Sequence, residues 1–287
     1  MGMADIVPGV SGGTMAFILG IYDELIESIQ AAVPFLKDLF RLRISGAFNC
    51  FPWRFLLALG SGIALAILSL ASLIHWALEE IPVYIYAIFF GLVLAAVLVV
   101  RNRVEHWTPF KFLAMALTTI ASYLLVGLTP AQAPEGLWYV FLSGALAICA
   151  MILPGISGAF ILVLLGLYQF ILRALLSFDI VTILVFITGA AFGLLAFSNV
   201  LRWLLRHYHD LTVAALIGFM IGALRELWPW KDYLHVAEIP VGDVNVLPVL
   251  ASVETWLAVG LMGLGFLLVL LIESLAHGKK QTARKEN

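Results

Sequence analysis

Two similar segments decide the fold: VPGVSGGTMAFILGIY at residues 7–22 and LPGISGAFILVLLGLY at residues 153–168. Each carries a Pro-Gly-x-Ser-Gly sequence inside an apolar stretch of the chain. Proline and closely spaced glycines interrupt a helix, so each stretch is predicted to form two half-helices joined by a short turn. We call residues 8–13 the first break and residues 154–158 the second break.

The composition around these breaks is that of a membrane protein. The chain of 287 residues is 63% hydrophobic and only 12% charged, whereas soluble domains are about 45–50% apolar and about 25% charged. This excludes a soluble enzyme, and the high hydrophobicity excludes disorder. A net charge of −2 gives no basic field for nucleic acid. Cys50 and Cys149 have no metal-binding or disulfide spacing, and no cofactor motif is present.

The apolar stretches predict a polytopic protein. A crossing takes about 20 apolar residues. Six stretches reach or approach this length: 53–78, 82–100, 111–129, 180–201, 211–228 and 250–272. Two more, 4–30 and 137–176, contain the breaks. Short basic loops favour the cytoplasm, which places the loop 202–210, with Arg202 and Arg206, and the basic tail 276–287 inside.

The charge pattern then requires the stretch 137–176 to begin and end outside. It forms either a re-entrant hairpin or a pair of full crossings. We favour the re-entrant hairpin, because the break leaves backbone groups unpaired, and these are tolerated at membrane depth only inside protein or beside a wet cavity. The matching first arm has only seven residues before Pro8. We therefore expect either a lopsided first hairpin or a sequence that starts late.

The chain also contains an internal repeat. Pro8 aligns with Pro154, and the matches continue through the two segments at one constant separation. At a second constant separation, Gly62, Trp76 and Gly91 match Gly189, Trp203 and Gly218. Each half is then a broken hairpin plus three crossings, and an odd number of crossings inverts the second half. We predict an all-α, single membrane domain (1–287) with inverted-topology repeats at 1–130 and 137–275, an architecture typical of secondary transporters.

The breaks predict an anion site. Each is followed by a new helix start, which offers unpaired N–H groups and a partial positive charge, and glycine allows close approach of a ligand. Phosphate is the natural candidate. The predicted phosphate-binding residues are Ser11, Gly12, Gly13, Thr14, Ser157 and Gly158, with Arg225 and Arg173 attracting the anion from the outer side. For Arg225 an interfacial position or a pair with Glu226 is the alternative.

Three titratable residues are candidates for proton coupling: Asp5 before the first break, His75 near the end of its span, and Glu254 early in the last span. Interfacial placement is the alternative for His75 and Glu254, and helix capping for Asp5.

A rival hypothesis is an intramembrane serine hydrolase that uses Ser11 or Ser157 with His75 as its base. Against it, the serine is present in both halves, and Arg202 stands where the second half would need the histidine. We therefore do not expect an enzyme. A transporter of a small soluble anion is the other alternative.

Three segments carry a family resemblance: GMADIVPGVSGGTMAFILGIY (2–22), AICAMILPGISGAFILVLLGLY (147–168) and GALRELWPW (222–230). They resemble the signature segments of the bacterial polyprenyl-phosphate (undecaprenyl-phosphate) transporter family, formerly a family of unknown function. The resemblance implies a flippase of the bacterial cytoplasmic (inner) membrane. Such a protein would return undecaprenyl phosphate to the inner leaflet for cell-envelope glycan synthesis, with its C-terminus in the cytoplasm.

Overall fold

The computed structural model describes residues 1–6, 11–41, 51–128, 134, 136–236 and 239–285, so Pro8, Gly9 and Val10 of the first break lie outside the described residues. The described chain is mostly helical. Its helices are α1 (Gly2–Ile6), α2 (Gly12–Ile18), α3 (Tyr22–Phe40), α4 (Trp53–Glu80), α5 (Pro82–Arg101), α6 (Pro109–Val126), α7 (Leu137–Ile152), α8 (Gly158–Leu164), α9 (Tyr168–Leu176), α10 (Ile180–His207), α11 (His209–Ala223) and α12 (Val253–Lys285). Strands β1 (Lys231–Val236) and β2 (Ile239–Asn245) form a small antiparallel hairpin before α12.

The prediction of a multi-pass membrane protein is confirmed. Within the described residues five helices are long and apolar enough to cross a membrane, namely α4, α5, α6, α10 and the Val253–Ser274 part of α12. The bent pair of α8 and α9 raises this number to six if it counts as one span. Many leucines on the outer faces of α4 and α6 are exposed, as expected of faces that contact lipid.

Two predicted boundaries differ from the structure. In place of a crossing over 211–228, the structure has the 15-residue helix α11, which begins at His209 and ends at Ala223, where the chain turns before Pro229, a residue that cannot continue a helix. The loop predicted at 202–210 is wrong: α10 continues to His207, and only Tyr208 separates it from α11. Arg202 therefore lies within a helix.

From the serine of each break onward, the described backbone has the same local form in both halves. Helices α2 and α8 each have seven residues and follow a serine, Ser11 or Ser157, in extended conformation. Each ends shortly before a glycine with positive φ, +70° at Gly20 and +69° at Gly166, a conformation that glycine adopts without strain. After the second of these glycines the chain bends by 108° between α8 and α9.

The interior is built from close helix pairs. Helix α5 packs along α12, α6 packs along α11, and α5 and α11 also contact each other. A side chain at Gly91 would overlap the carbonyl of Met262, and one at Gly218 would overlap Thr118. Small residues of this kind let membrane helices approach closely. The largest buried cluster includes residues of α5, α11 and the first half-helices.

Candidate functional site

The two breaks meet in the interior of the protein. The Ser11 hydroxyl, just before α2, donates a hydrogen bond to the carbonyl of Met151 at the end of α7 (2.9 Å). In the other direction, the N–H of Gly155 in the second break donates to the Thr14 hydroxyl (3.0 Å). The phenol of Tyr22 donates to the carbonyl of Ile152 (3.2 Å). Residues more than a hundred positions apart in sequence therefore form one polar contact.

The backbone N–H groups at the end of the first break are hydrogen-bonded to nearby residues of the same segment. The N–H of Gly12 donates to the Asp5 carboxylate (2.7 Å), and the N–H of Gly13 donates to the Ser11 hydroxyl (3.0 Å), which caps α2. The N–H of Thr14 donates to the Ser11 carbonyl (3.0 Å). Ser11 and Thr14 are each 1% exposed. Every amide donor at the start of α2 thus has a partner within the protein.

The second break is less completely paired. Ser157 precedes α8 as Ser11 precedes α2, but its side chain makes no capping hydrogen bond. Among the described residues, neither the Ser157 hydroxyl nor the N–H of Gly158 has a hydrogen-bond partner. Gly158 is half-buried, whereas its counterpart Gly12 is buried. The donors that remain available therefore lie on the second break.

Close backbone approach holds the breaks together. An added Cβ at Gly13 would lie 2.5 Å from the Ile152 carbonyl oxygen. Gly155 has φ +93°, and an added Cβ there would lie 3.0 Å from the Met220 Cα of α11. Both positions therefore require glycine: Gly13 because a side chain would have no space, and Gly155 because of the space and the positive φ.

Arg225 lies just beyond α11 and joins it to α6. Its Nη1 donates to the Tyr123 carbonyl (2.8 Å), and its guanidinium lies 4.4 Å from the centre of the Tyr123 ring. Ala223, two residues earlier, borders Gly155 of the second break. The structure thus places Arg225 near the end of the helix that packs on the second break.

The other candidates lie elsewhere. Arg173 is exposed on α9, and its Nε donates to the Gln169 carbonyl (3.3 Å). His75 is exposed and pairs with Glu79 across one helical turn (3.4 Å). Glu254 is exposed at the start of α12. His75 makes no hydrogen bond with Ser11, whose hydroxyl bonds to Met151 and Gly13, and none with Ser157. The serine–histidine pair of the hydrolase hypothesis is therefore not formed with either serine in this structure.

Sequence reasoning missed a polar contact between α3 and α10. Gln30 is 6% exposed, and its Nε2 donates to the Ser198 carbonyl (2.7 Å). Arg202 donates through Nη1 to Gln30 Oε1. The signal was the spacing of four residues from Tyr22 through Ile26 to Gln30, which places a glutamine on the buried face of a helix.

These features define a class: a multi-pass helical membrane protein in which two interrupted helices meet in the interior. The family described as VCA0040-like, undecaprenyl phosphate translocase-like, matches residues 1–244, and the chain belongs to this family.

Two curated relatives agree with this assignment. The chain is 45% identical over 235 residues to a polyprenyl-phosphate transporter of Vibrio cholerae serotype O1, covering 82% of this chain and 76% of the relative. It is 31% identical over 247 residues to a polyprenyl-phosphate transporter of Staphylococcus aureus, covering 80% of this chain and 83% of the relative. No solved structure matches the chain significantly.

Proposed function

We propose that this protein moves undecaprenyl phosphate, or a closely related polyprenyl phosphate, across the bacterial cytoplasmic membrane, returning the lipid carrier for envelope glycan synthesis. The family and both named relatives support this substrate class. The observation that carries the site is the contact between the two breaks, in which Ser11 bonds to Met151 and Gly155 bonds to Thr14. A transporter rather than an enzyme follows from this proposal.

The phosphate site we propose uses the groups of both breaks. The residues are Ser11, Gly12, Gly13, Thr14, Ser157 and Gly158, with Arg225 and Arg173 attracting the headgroup. Hydroxyl and amide donors suit phosphate oxygens, because hydrogen bonds to an ionised acceptor are stronger than those between neutral groups. The unpaired donors of Ser157 and Gly158 support first contact at the second break. The polyprenyl tail stays in lipid along the exposed apolar faces.

Full engagement of the phosphate requires movement. The Ser11 hydroxyl donates to Met151 just before the second break, and the Gly155 N–H within that break donates to Thr14, so these two donors reach a phosphate only when the two segments separate. The phosphate would replace these hydrogen bonds, and its departure would restore them. Such exchange gives alternating access a physical basis, since the same donors are satisfied in both states. Asp5, which bonds Gly12, is the best placed of the proton-coupling candidates Asp5, His75 and Glu254.

We also propose that the two halves are inverted-topology repeats, 1–130 and 137–275, within one membrane domain and followed by a basic cytoplasmic tail, 276–287. Four observations support this. The described backbone after each break has the same form, α4 and α10 both have 28 residues, and the aligned Gly91 and Gly218 each lie where one helix packs closely on another. In the aligned halves α5 corresponds to α11 and α6 corresponds to α12. The close pair formed by α5 and α12 therefore has its counterpart in the close pair formed by α11 and α6.

The experiment is transport of polyprenyl phosphate by purified protein in liposomes, with Ser157→Ala combined with Arg225→Ala. The matched control is Ser61→Ala, because Ser61 is exposed and bonds only within its own helix. Loss of charge-assisted hydrogen bonds, each worth about 1.5–3 kcal/mol, predicts at least tenfold slower transport for the double variant. Equal rates for the double variant and the control would refute the site. Uptake of inorganic phosphate without lipid movement would instead support the small-anion alternative.

A further inference from the structure

Arg202 is placed unusually for a basic residue near the end of a membrane helix. Such side chains ordinarily extend toward water while their stems cover apolar surface. Arg202 instead contacts the buried Gln30 of α3 and is half-buried, beside Leu201, which is 2% exposed. Arg206, one turn further along α10, is exposed. The inward position of Arg202 is therefore a property of this residue and not of the helix end.

The contact with Gln30 leaves one edge of the guanidinium unmatched. Nη1 donates to Gln30, but the Nε of Arg202 is buried and has no hydrogen-bond partner. Among the described residues no carboxylate forms an ion pair with Arg202, whereas Lys111 pairs with Asp210 and Lys231 with Glu226. A buried donor without an acceptor costs about 1–3 kcal/mol. Because Nε is enclosed, an acceptor reaches this edge only when the surrounding side chains move, and it would then remove that cost.

The unmatched edge has the geometry of an oxyanion receptor. Nε and the second terminal nitrogen of a guanidinium point the same way and bind two oxygens of one carboxylate or phosphate. Gln30 holds the guanidinium in place, because its amide also bonds to the Ser198 carbonyl (2.7 Å). At the aligned position in the first half, His75 is exposed and pairs with Glu79. At this pair of aligned positions, only the second half therefore has a cation that faces inward.

We propose that the Arg202 edge, positioned by Gln30, binds a phosphate monoester at the end of the protein opposite Arg225. Arg202 lies in the last two turns of α10, which leads into the start of α11, and Arg225 follows the end of α11, whose 15 residues extend about 22 Å. The proposal rests on the proposed function, because it makes Arg202 a second binding site for the same phosphate headgroup. Arg225 and the second break serve one end of the path, and Arg202 serves the other.

The test measures binding of polyprenyl phosphate to purified protein in lipid nanodiscs, with inorganic phosphate as a second ligand. Gln30→Glu is the decisive variant, since a carboxylate at position 30 pairs with Arg202 and so competes with phosphate. It keeps the contact with Arg202 but loses the hydrogen bond from Gln30 Nε2 to the Ser198 carbonyl. We expect at least tenfold weaker lipid binding for Gln30→Glu and for Arg202→Lys, and no change for the control Arg206→Ala. Thermal unfolding of Gln30→Glu should lie close to that of the unchanged protein, because the ion pair with Arg202 offsets the lost bond to Ser198.

The outcomes separate the two proposals. If the unchanged protein moves polyprenyl phosphate but Gln30→Glu and Arg202→Lys bind it as Arg206→Ala does, the Arg202 site is overturned and the proposed function stands. If the unchanged protein neither binds nor moves the lipid, the proposed function fails. Competition by inorganic phosphate at the same site would identify the headgroup as the recognised part. Weaker binding only in variants that also unfold early would assign Arg202 a structural role and refute the site.

Discussion

The strongest test of the contact between the breaks compares one substitution at two matched serines. Ser11→Ala removes the hydroxyl that caps α2 and donates to Met151, and Ser157→Ala removes a hydroxyl that has no such bond. Loss of the cap costs about 1 kcal/mol, and leaving the part-buried Met151 carbonyl without its donor costs about 1–3 kcal/mol. We therefore expect Ser11→Ala to destabilise the protein by about 2–4 kcal/mol, and Ser157→Ala by less than about 0.5 kcal/mol.

Thermal unfolding of both variants in one detergent measures this difference. For a chain of this size about 1 kcal/mol corresponds to a few degrees, so Ser11→Ala should lower Tm by roughly 5–10 °C and Ser157→Ala by a degree or less. A Ser11→Thr variant keeps the hydroxyl and should recover part of the loss. Equal shifts at the two serines, or a larger shift at Ser157, would show that the Ser11–Met151 bond does not hold the breaks together.

Two further predictions concern packing and the second bond between the breaks. Gly91→Ala, measured by thermal unfolding, should destabilise the protein by about 1–3 kcal/mol through overlap with Met262, whereas Gly62→Ala, which meets nothing within 4 Å, should be neutral or slightly stabilising. Destabilisation of both alike would refute the close helix contact. Thr14→Val should cost about 1–3 kcal/mol because the buried Gly155 N–H loses its acceptor, and Thr14→Ser should restore most of it. Failure of Thr14→Ser to recover stability would attribute the loss to packing alone.

The sequence predicted the spans well because a crossing depends on a local property, the length of an apolar run. The same local information located both breaks, since proline and glycine act on the backbone of their own segment. It failed at the end of α10, because apolarity falls at Arg202 while the helix continues to His207. Helix length there depends on backbone hydrogen bonds and on packing against α3, neither of which the charge pattern reports.

The sequence by itself determined a membrane protein with two interrupted helices in similar halves. Hydropathy, helix-breaking residues and internal repetition can all be recognised from the order of the residues alone. Only the tertiary structure decided that the breaks bond to each other, that Ser11 is fully paired while the matched Ser157 is not, and that Arg202 lies against Gln30. The physical reason is that hydrogen bonds between distant segments depend on which helices become neighbours. Identical motifs therefore acquired different partners, and a residue assigned to a loop became an interior cation.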